Sequence, residues 1–214
     1  MRVAALYDVH GNVPALHAVL DELGDVDAIV FGGDLLWGPW PGKTLELAQS
    51  IGDRARYVRG NWERYLLEGK DEWTAQHVAP REVGDWPETL ALDGVLYCHA
   101  TPVSDVAVVV PQLETSDWSA FTGPVVVCGH THVQFDIERS GTRIVNPGSG
   151  GLPNVRAGAS WALLTDGDVE LRTTEYDTDA TAAAMRATAF PEAEEFADTI
   201  VTPPTLERLL EGLP

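Results

Sequence analysis

The chain has 214 residues, 44% of them hydrophobic, which suffices for one sizeable core, and no polar or low-complexity linker divides it. Its formal net charge is −19, with only Lys43 and Lys70 as lysines, so most of the surface should repel a polyphosphate backbone and no long nucleic acid is expected as a partner. No apolar run reaches the ~20 residues that span a bilayer, and the first residues read as a strand rather than a leader, so the expectation is a cytoplasmic protein with no membrane partner.

Val3–Tyr7 is an apolar run ending in Asp8. Val13–Leu23 then carries helical spacing through Leu16, Val19, Leu20 and Leu23, with Pro14 suited to the first turn. Ala28–Phe31 is a short buried strand that ends in Gly32-Gly33-Asp34, and a Pro/Gly loop from Trp37 to Gly42 leads to a helix over Lys43–Ile51. Arg56–Arg59 is a third strand, closing on Gly60-Asn61. This alternation predicts parallel pairing with helices over the sheet.

The second half changes character. Leu90–Leu92 and Val95–Cys98 flank Asp93-Gly94, Gln134–Glu138 and Thr142–Val145 flank Ser140-Gly141, and Ser160–Leu164 and Val169–Thr173 flank Asp166-Gly167. Each reads as a hairpin. Val125–Cys128 is a further buried strand, leading into Gly129-His130-Thr131-His132. The pattern predicts a four-layer αββα sandwich of two mixed sheets over residues 1–177, with helices packing on it over 178–214. Cys98 and Cys128, the only cysteines, each end an apolar strand and are read as buried and reduced.

Asp8, His10, Asp34, Asn61, His99, His130 and His132 all fall at the carboxyl ends of predicted strands, where open α/β sheets bind ligands. Strand alternation would aim Asp8 with His10, and His130 with His132, to one side. The seven supply three oxygen and four nitrogen donors, enough for two divalent cations sharing one carboxylate. Imidazole mixed with carboxylate suits Mn, Fe, Co, Ni or Zn better than Mg or Ca, and Mn is the first choice. Two such cations roughly 3.5–4 Å apart would acidify a water between them and clamp a phosphoryl group. Arg59 and Arg64 flank the Asn61 turn and are candidates for phosphate contact. Trp37, Trp40 and Trp62 could form an aromatic wall, by stacking on a substrate or by packing in the core.

In these motifs the chain resembles the calcineurin-like metallophosphoesterase superfamily, over roughly residues 2–177. The likeness is nearest to its small bacterial phosphodiesterase branch, through Asp8-Val9-His10-Gly11-Asn12, Gly33-Asp34-Leu35-Leu36, His99-Ala100-Thr101-Pro102 and Asn146-Pro147-Gly148-Ser149. The resemblance implies that Asp8, His10 and His132 hold one metal, that Asn61, His99 and His130 hold the other, and that Asp34 bridges them. It implies catalytic roles for Asp34, Asn61 and His130, a substrate contact for Asn12, and hydrolysis of a small phosphoester or nucleotide by a metal-bridging hydroxide. One position departs from the pattern: Trp62 stands where the family has a histidine thought to help the leaving group depart, and indole is no acid. Three other readings stay open: a serine/threonine protein phosphatase, a nuclease, and a non-catalytic scaffold that uses Trp62 as an interface anchor. Of the leftover histidines, His17 reads as a packing or surface residue, and His77 reads as a surface residue that could also stand in as proton donor.

Overall fold

Side-chain alternation along the strands sorts the apolar residues into three layers. The structure, a computed structural model, describes residues 1–212. Strands β1 (Arg2–Leu6), β2 (Ala28–Phe31) and β3 (Ala55–Tyr57) run parallel. Two antiparallel strands, β9 (Ala159–Thr165) and β10 (Asp168–Thr174), complete the order β10-β9-β1-β2-β3. The second sheet is built from β4 (Thr89–Leu92), β5 (Val95–Cys98), β6 (Val125–Val127), β7 (Phe135–Arg139) and β8 (Thr142–Asn146). Its order is β4-β5-β6-β8-β7, with β5, β6 and β8 parallel and both edge strands antiparallel.

Val3, Ala5, Val30, Tyr97, Val127 and Val145 point between the sheets and form the central layer. Their neighbours Ala4, Leu6, Ile29 and Phe31 face the other way, into a core shared with α1 (Val13–Glu22) and α2 (Pro41–Ser50). Leu96, Val126 and Ile144 lie on the outer side of the second sheet, where Val109, Trp118 and Phe121 of the irregular segment 105–124 seal them. Two mixed five-stranded sheets flanked by helices thus make the α/β sandwich that periodicity predicts. No helix among the described residues is long and apolar enough to cross a membrane.

All three predicted hairpins form. Their turn pairs are left-handed at both positions, as two-residue primed turns require: φ is 51° and 78° at Asp93-Gly94, 51° and 81° at Ser140-Gly141, and 50° and 94° at Asp166-Gly167. The second helix starts at Pro41 rather than Lys43, because proline's fixed φ and missing N–H suit a first turn. The third strand runs Ala55–Tyr57 and ends early because the Arg59 N–H leaves the ladder for the Pro87 carbonyl at 2.8 Å. Two short helices, α3 (Asn61–Leu67) and α4 (Glu72–Ala75), were not legible in the pattern.

The C-terminal segment forms α5 (Thr178–Arg186), α6 (Ala193–Val201) and α7 (Leu206–Glu211); the rest of the predicted extension, 213–214, lies outside the described residues. Met185, Phe190, Phe196 and Ile200 bury against Trp37, Trp40, Trp73 and Leu152. The helical pair α5–α6 therefore covers loops leaving the strand ends rather than a sheet face. Both cysteines are free and buried, as read from the sequence.

Candidate metal centre

The seven predicted donors converge, but not by strand alternation. Asp8, His10, Asp34, His130 and His132 all follow strand ends in the left-handed region, with φ of 53°, 50°, 50°, 67° and 56°. Such backbone is uncommon outside glycine and costs on the order of 1–2 kcal/mol per residue, so the surrounding structure has to hold it. His130 and His132 consequently part company. One group joins Asp8, His10 and His132, and the other joins Asp34, His99 and His130, with donor atoms in each within 4.8 Å of one another. Each group draws on both sheets: Asp8, His10 and Asp34 follow β1 and β2, while His99, His130 and His132 follow β5 and β6.

Three carbonyls set the imidazole tautomers. Nδ1 of His10 lies 3.1 Å from the Trp37 carbonyl, Nδ1 of His132 lies 2.7 Å from that of Leu152, and Nδ1 of His99 lies 3.1 Å from that of Gly32. A carbonyl only accepts, so each Nδ1 donates its proton, and each ring, once neutral, turns an Nε2 lone pair inward. The Nε2 atoms of His10 and His132 face each other at 3.1 Å, and Asp8 Oδ1 lies 3.5 Å from the latter. That oxygen is buried without a hydrogen-bond partner. Around the second group, one end of the Asn61 amide sits 3.1 Å from His99 Nε2, 3.1 Å from His130 Nδ1 and 3.2 Å from Asp34 Oδ2. Electron pairs facing each other in this way call for a cation among them, so the residues present fit divalent metal.

Burial opposes charge on Asp8, His10, Asp34 and His99. At Asp8 it is outweighed by His132 and His99, and at Asp34 by His99 and His10, so both carboxyls are held below the usual range. Burial would lower His99 as well, but Asp34 and Asp8 push it up to about 10. Burial and the neighbouring His132 take His10 down to about 4.

The sequence reading gave no role to the side chains that hold these loops, and it passed over Glu63 altogether. Glu63, 1% exposed, accepts N–H bonds from Asp34, Leu35, Leu36 and Gly60 at 2.9, 2.9, 3.3 and 2.9 Å. One carboxylate thus ties the Asp34 loop to the start of α3, and the Trp62 N–H donates to Asp34 Oδ1 at 2.9 Å. The Asn146-to-Ser149 turn braces the other loops: Ser149 Oγ donates to the Asp8 carbonyl at 2.6 Å, and Asn146 Nδ2 to the Gly129 carbonyl at 2.9 Å. Glycine is needed where these loops touch, since a Cβ on Gly60 would lie 2.3 Å from Asp34 Oδ1.

Of the three predicted substrate contacts, Asn12 and Arg59 are engaged by other groups of the protein. Asn12 is fully buried; its oxygen caps α1 at the Ala15 N–H, and its Nδ2 donates to the Gly151 carbonyl and Tyr176 Oη. Arg59 is paired with Glu88 at 2.6 Å. Arg64 is the one that borders the centre. It lines a cavity of ≈ 170 Å³ with His99, Thr101, Ser104 and Asp105, and Asp105 grips its guanidinium at 2.6 and 3.1 Å. His17 is exposed on α1, and His77 lies in a surface groove with Trp40 and Trp73.

Fold and donor set together define a metal-binding α/β sandwich. Residues 1–168 match the calcineurin-like phosphoesterase superfamily domain, and the chain belongs to that family. Its structure is similar to that of a metallophosphoesterase from Sphaerobacter thermophilus, at 25% identity and a TM-score of 0.78, over 94% of this chain and 99% of the other. It is also similar in fold to the hypothetical protein PH1004 from Pyrococcus horikoshii OT3, at 19% identity and a TM-score of 0.76, over 93% and 97% of the two chains. The fold likeness to YfcE, a phosphoesterase from E. coli, is looser, at 21% identity and a TM-score of 0.53, over 82% and 100%. The chain matches none of the curated proteins.

Proposed function

We propose that the chain is a two-metal phosphodiesterase that hydrolyses small phosphoesters or nucleotides, with Mn as the first candidate metal. The observation that carries this reading is the convergence of the His10 and His132 Nε2 lone pairs on the orphaned Asp8 Oδ1, beside a second group of the same make-up. When bound, two cations would supply an acidified water and positive charge for the phosphoryl oxygens.

The chain's own residues do the rest. Carbonyls of Trp37, Leu152 and Gly32 keep three imidazoles in the ligating tautomer, and the Trp62 backbone N–H orients Asp34, the carboxylate this reading has the two metals share. The cavity beside His99 is the natural place for a leaving group, with Arg64 as its cation. The Trp62 indole is no acid, so it cannot take over the proton-donor part of the family's histidine. Leaving groups that depart unaided should be favoured, by roughly 10²–10⁴-fold over simple alkoxides. Trp62 also stacks on Trp37, which leaves it less suited to anchoring a partner.

The test is hydrolysis of bis(p-nitrophenyl) phosphate by chelator-stripped protein during Mn titration, with Asp34→Asn alongside. Activity should rise with Mn and vanish in the variant. Inactivity with Mn, Co, Ni and Zn alike would discard the reading. Alkyl phosphodiesters cleaved as fast as aryl ones would discard the leaving-group argument alone.

A further inference from the structure

The surroundings of Trp62 show what it does in place of a histidine. Its indole lies flat on Trp37, with ring centres 3.7 Å apart and planes within 4°. Trp37 in turn meets the rings of Phe196 and Phe190 edge-on, at 5.1 and 5.5 Å. Both phenylalanines come from the C-terminal helical segment, past the matched residues 1–168, and both are buried. Two of these rings also reach a donor of the first metal group. Phe196 meets the His10 ring edge-on at 6.0 Å and Trp37 meets it at 5.7 Å, while the Trp37 carbonyl accepts from His10 Nδ1.

We propose that Phe196 is a positioning residue for His10, and that the α5–α6 pair is a working wall of the metal centre. Phe196 acts in two ways: its ring confines the imidazole directly, and it confines Trp37, whose carbonyl selects the His10 tautomer. Trp62 is the staple that joins this wall to α3. The inference rests on the two-metal reading given above. An imidazole whose Nδ1–H loses its acceptor divides between two tautomers, and only one of them offers Nε2 to a metal. Loss of such an outer partner typically weakens metal binding about 10- to 100-fold.

The experiment compares Phe196→Ala and Phe196→Leu with Ile200→Ala in the full chain. Ile200 is buried in the same cluster, but its side chain has no ring to set against His10. Mn affinity is measured by calorimetry, and the His10 tautomer of the metal-free protein by ¹⁵N NMR of the imidazole. Phe196→Ala should weaken one Mn site at least roughly tenfold and mix the His10 tautomers. Phe196→Leu, which keeps most of the volume, should fall between it and the wild type. Ile200→Ala should lower the melting temperature without changing either readout. A folded Phe196 variant with wild-type affinity and a single Nδ1–H tautomer overturns the role, and so does an equal loss of affinity in Ile200→Ala. A wild type that takes up no Mn overturns the metal centre instead, and the tautomer signal still decides whether Phe196 orients His10.

Discussion

His99 and His10 belong to two adjoining donor groups and are pushed in opposite directions, so they act on the pH dependence of the metal-free protein from opposite sides. His99 is raised from 6.5 to about 10, so its contribution to stability is complete below pH 6.5 and is lost as pH climbs toward 10. His10 is lowered from 6.5 to about 4, so its contribution is complete above pH 6.5 and is lost as pH falls toward 4. Each effect is on the order of a few kcal/mol. Glu63, raised to about 7, offsets the His10 limb on the acid side, so thermal melts in EDTA should fall as pH climbs from 7 toward 10, and a flat profile from pH 7 to 9 would contradict the His99 assignment. Mn affinity should instead keep rising with pH, since metal needs His99 without its proton. Glu63 makes a second case. Burial pushes its carboxyl up to about 7, yet four N–H donors need both oxygens as acceptors. In Glu63→Gln an NH₂ would face some of those donors, and urea denaturation should show a loss on the order of 2–4 kcal/mol. Stability within error of wild type would show that the clamp matters little. Donors could be read from the sequence because metal chemistry restricts residue type. Glu63 acts on backbone N–H groups, which any sequence carries, and so left no signal.

The loops are built as pairs, and each pair can be broken at one contact. Gly60 opens α3 and lies against the Asp34 turn, where an added Cβ would sit 2.3 Å from Asp34 Oδ1 and 2.5 Å from its backbone nitrogen. Gly60→Ala must move one loop off the other, so calorimetry should find tight Mn binding lost while circular dichroism keeps the strand signal. Wild-type Mn affinity in this variant would mean the loops yield more easily than their packing implies. The sequence showed strands and hairpins well, because alternation and turn pairs such as Asp93-Gly94 are strong local signals. It showed α3 poorly, since seven residues starting on a metal-site asparagine carry less than two turns of apolar period. The left-handed backbone at five of the donors was also illegible. Strand alternation suggested that His130 and His132 share a target, whereas their turn conformations send them to different groups.

For the molecule as a whole, the central layer of Tyr97, Val127 and Val145 against Val3, Ala5 and Val30 joins the sheets by apolar contact. That much followed from composition and alternation. The metal groups add a second junction that no periodicity could show, because each takes ligands from both sheets. Cations held there would raise stability by mass action, by about 2.7 kcal/mol for one site at a hundredfold excess over its dissociation constant. Mn-loaded protein should melt several degrees above EDTA-treated protein at pH 7.5, and identical curves would rule out a structural role for the metals. In a cell, the unfolded fraction is what proteases remove. Because neither sheet holds a complete ligand set, metal starvation would do more than idle this protein: it would expose the chain to degradation, and the quantity surviving would report how much metal the cell can supply.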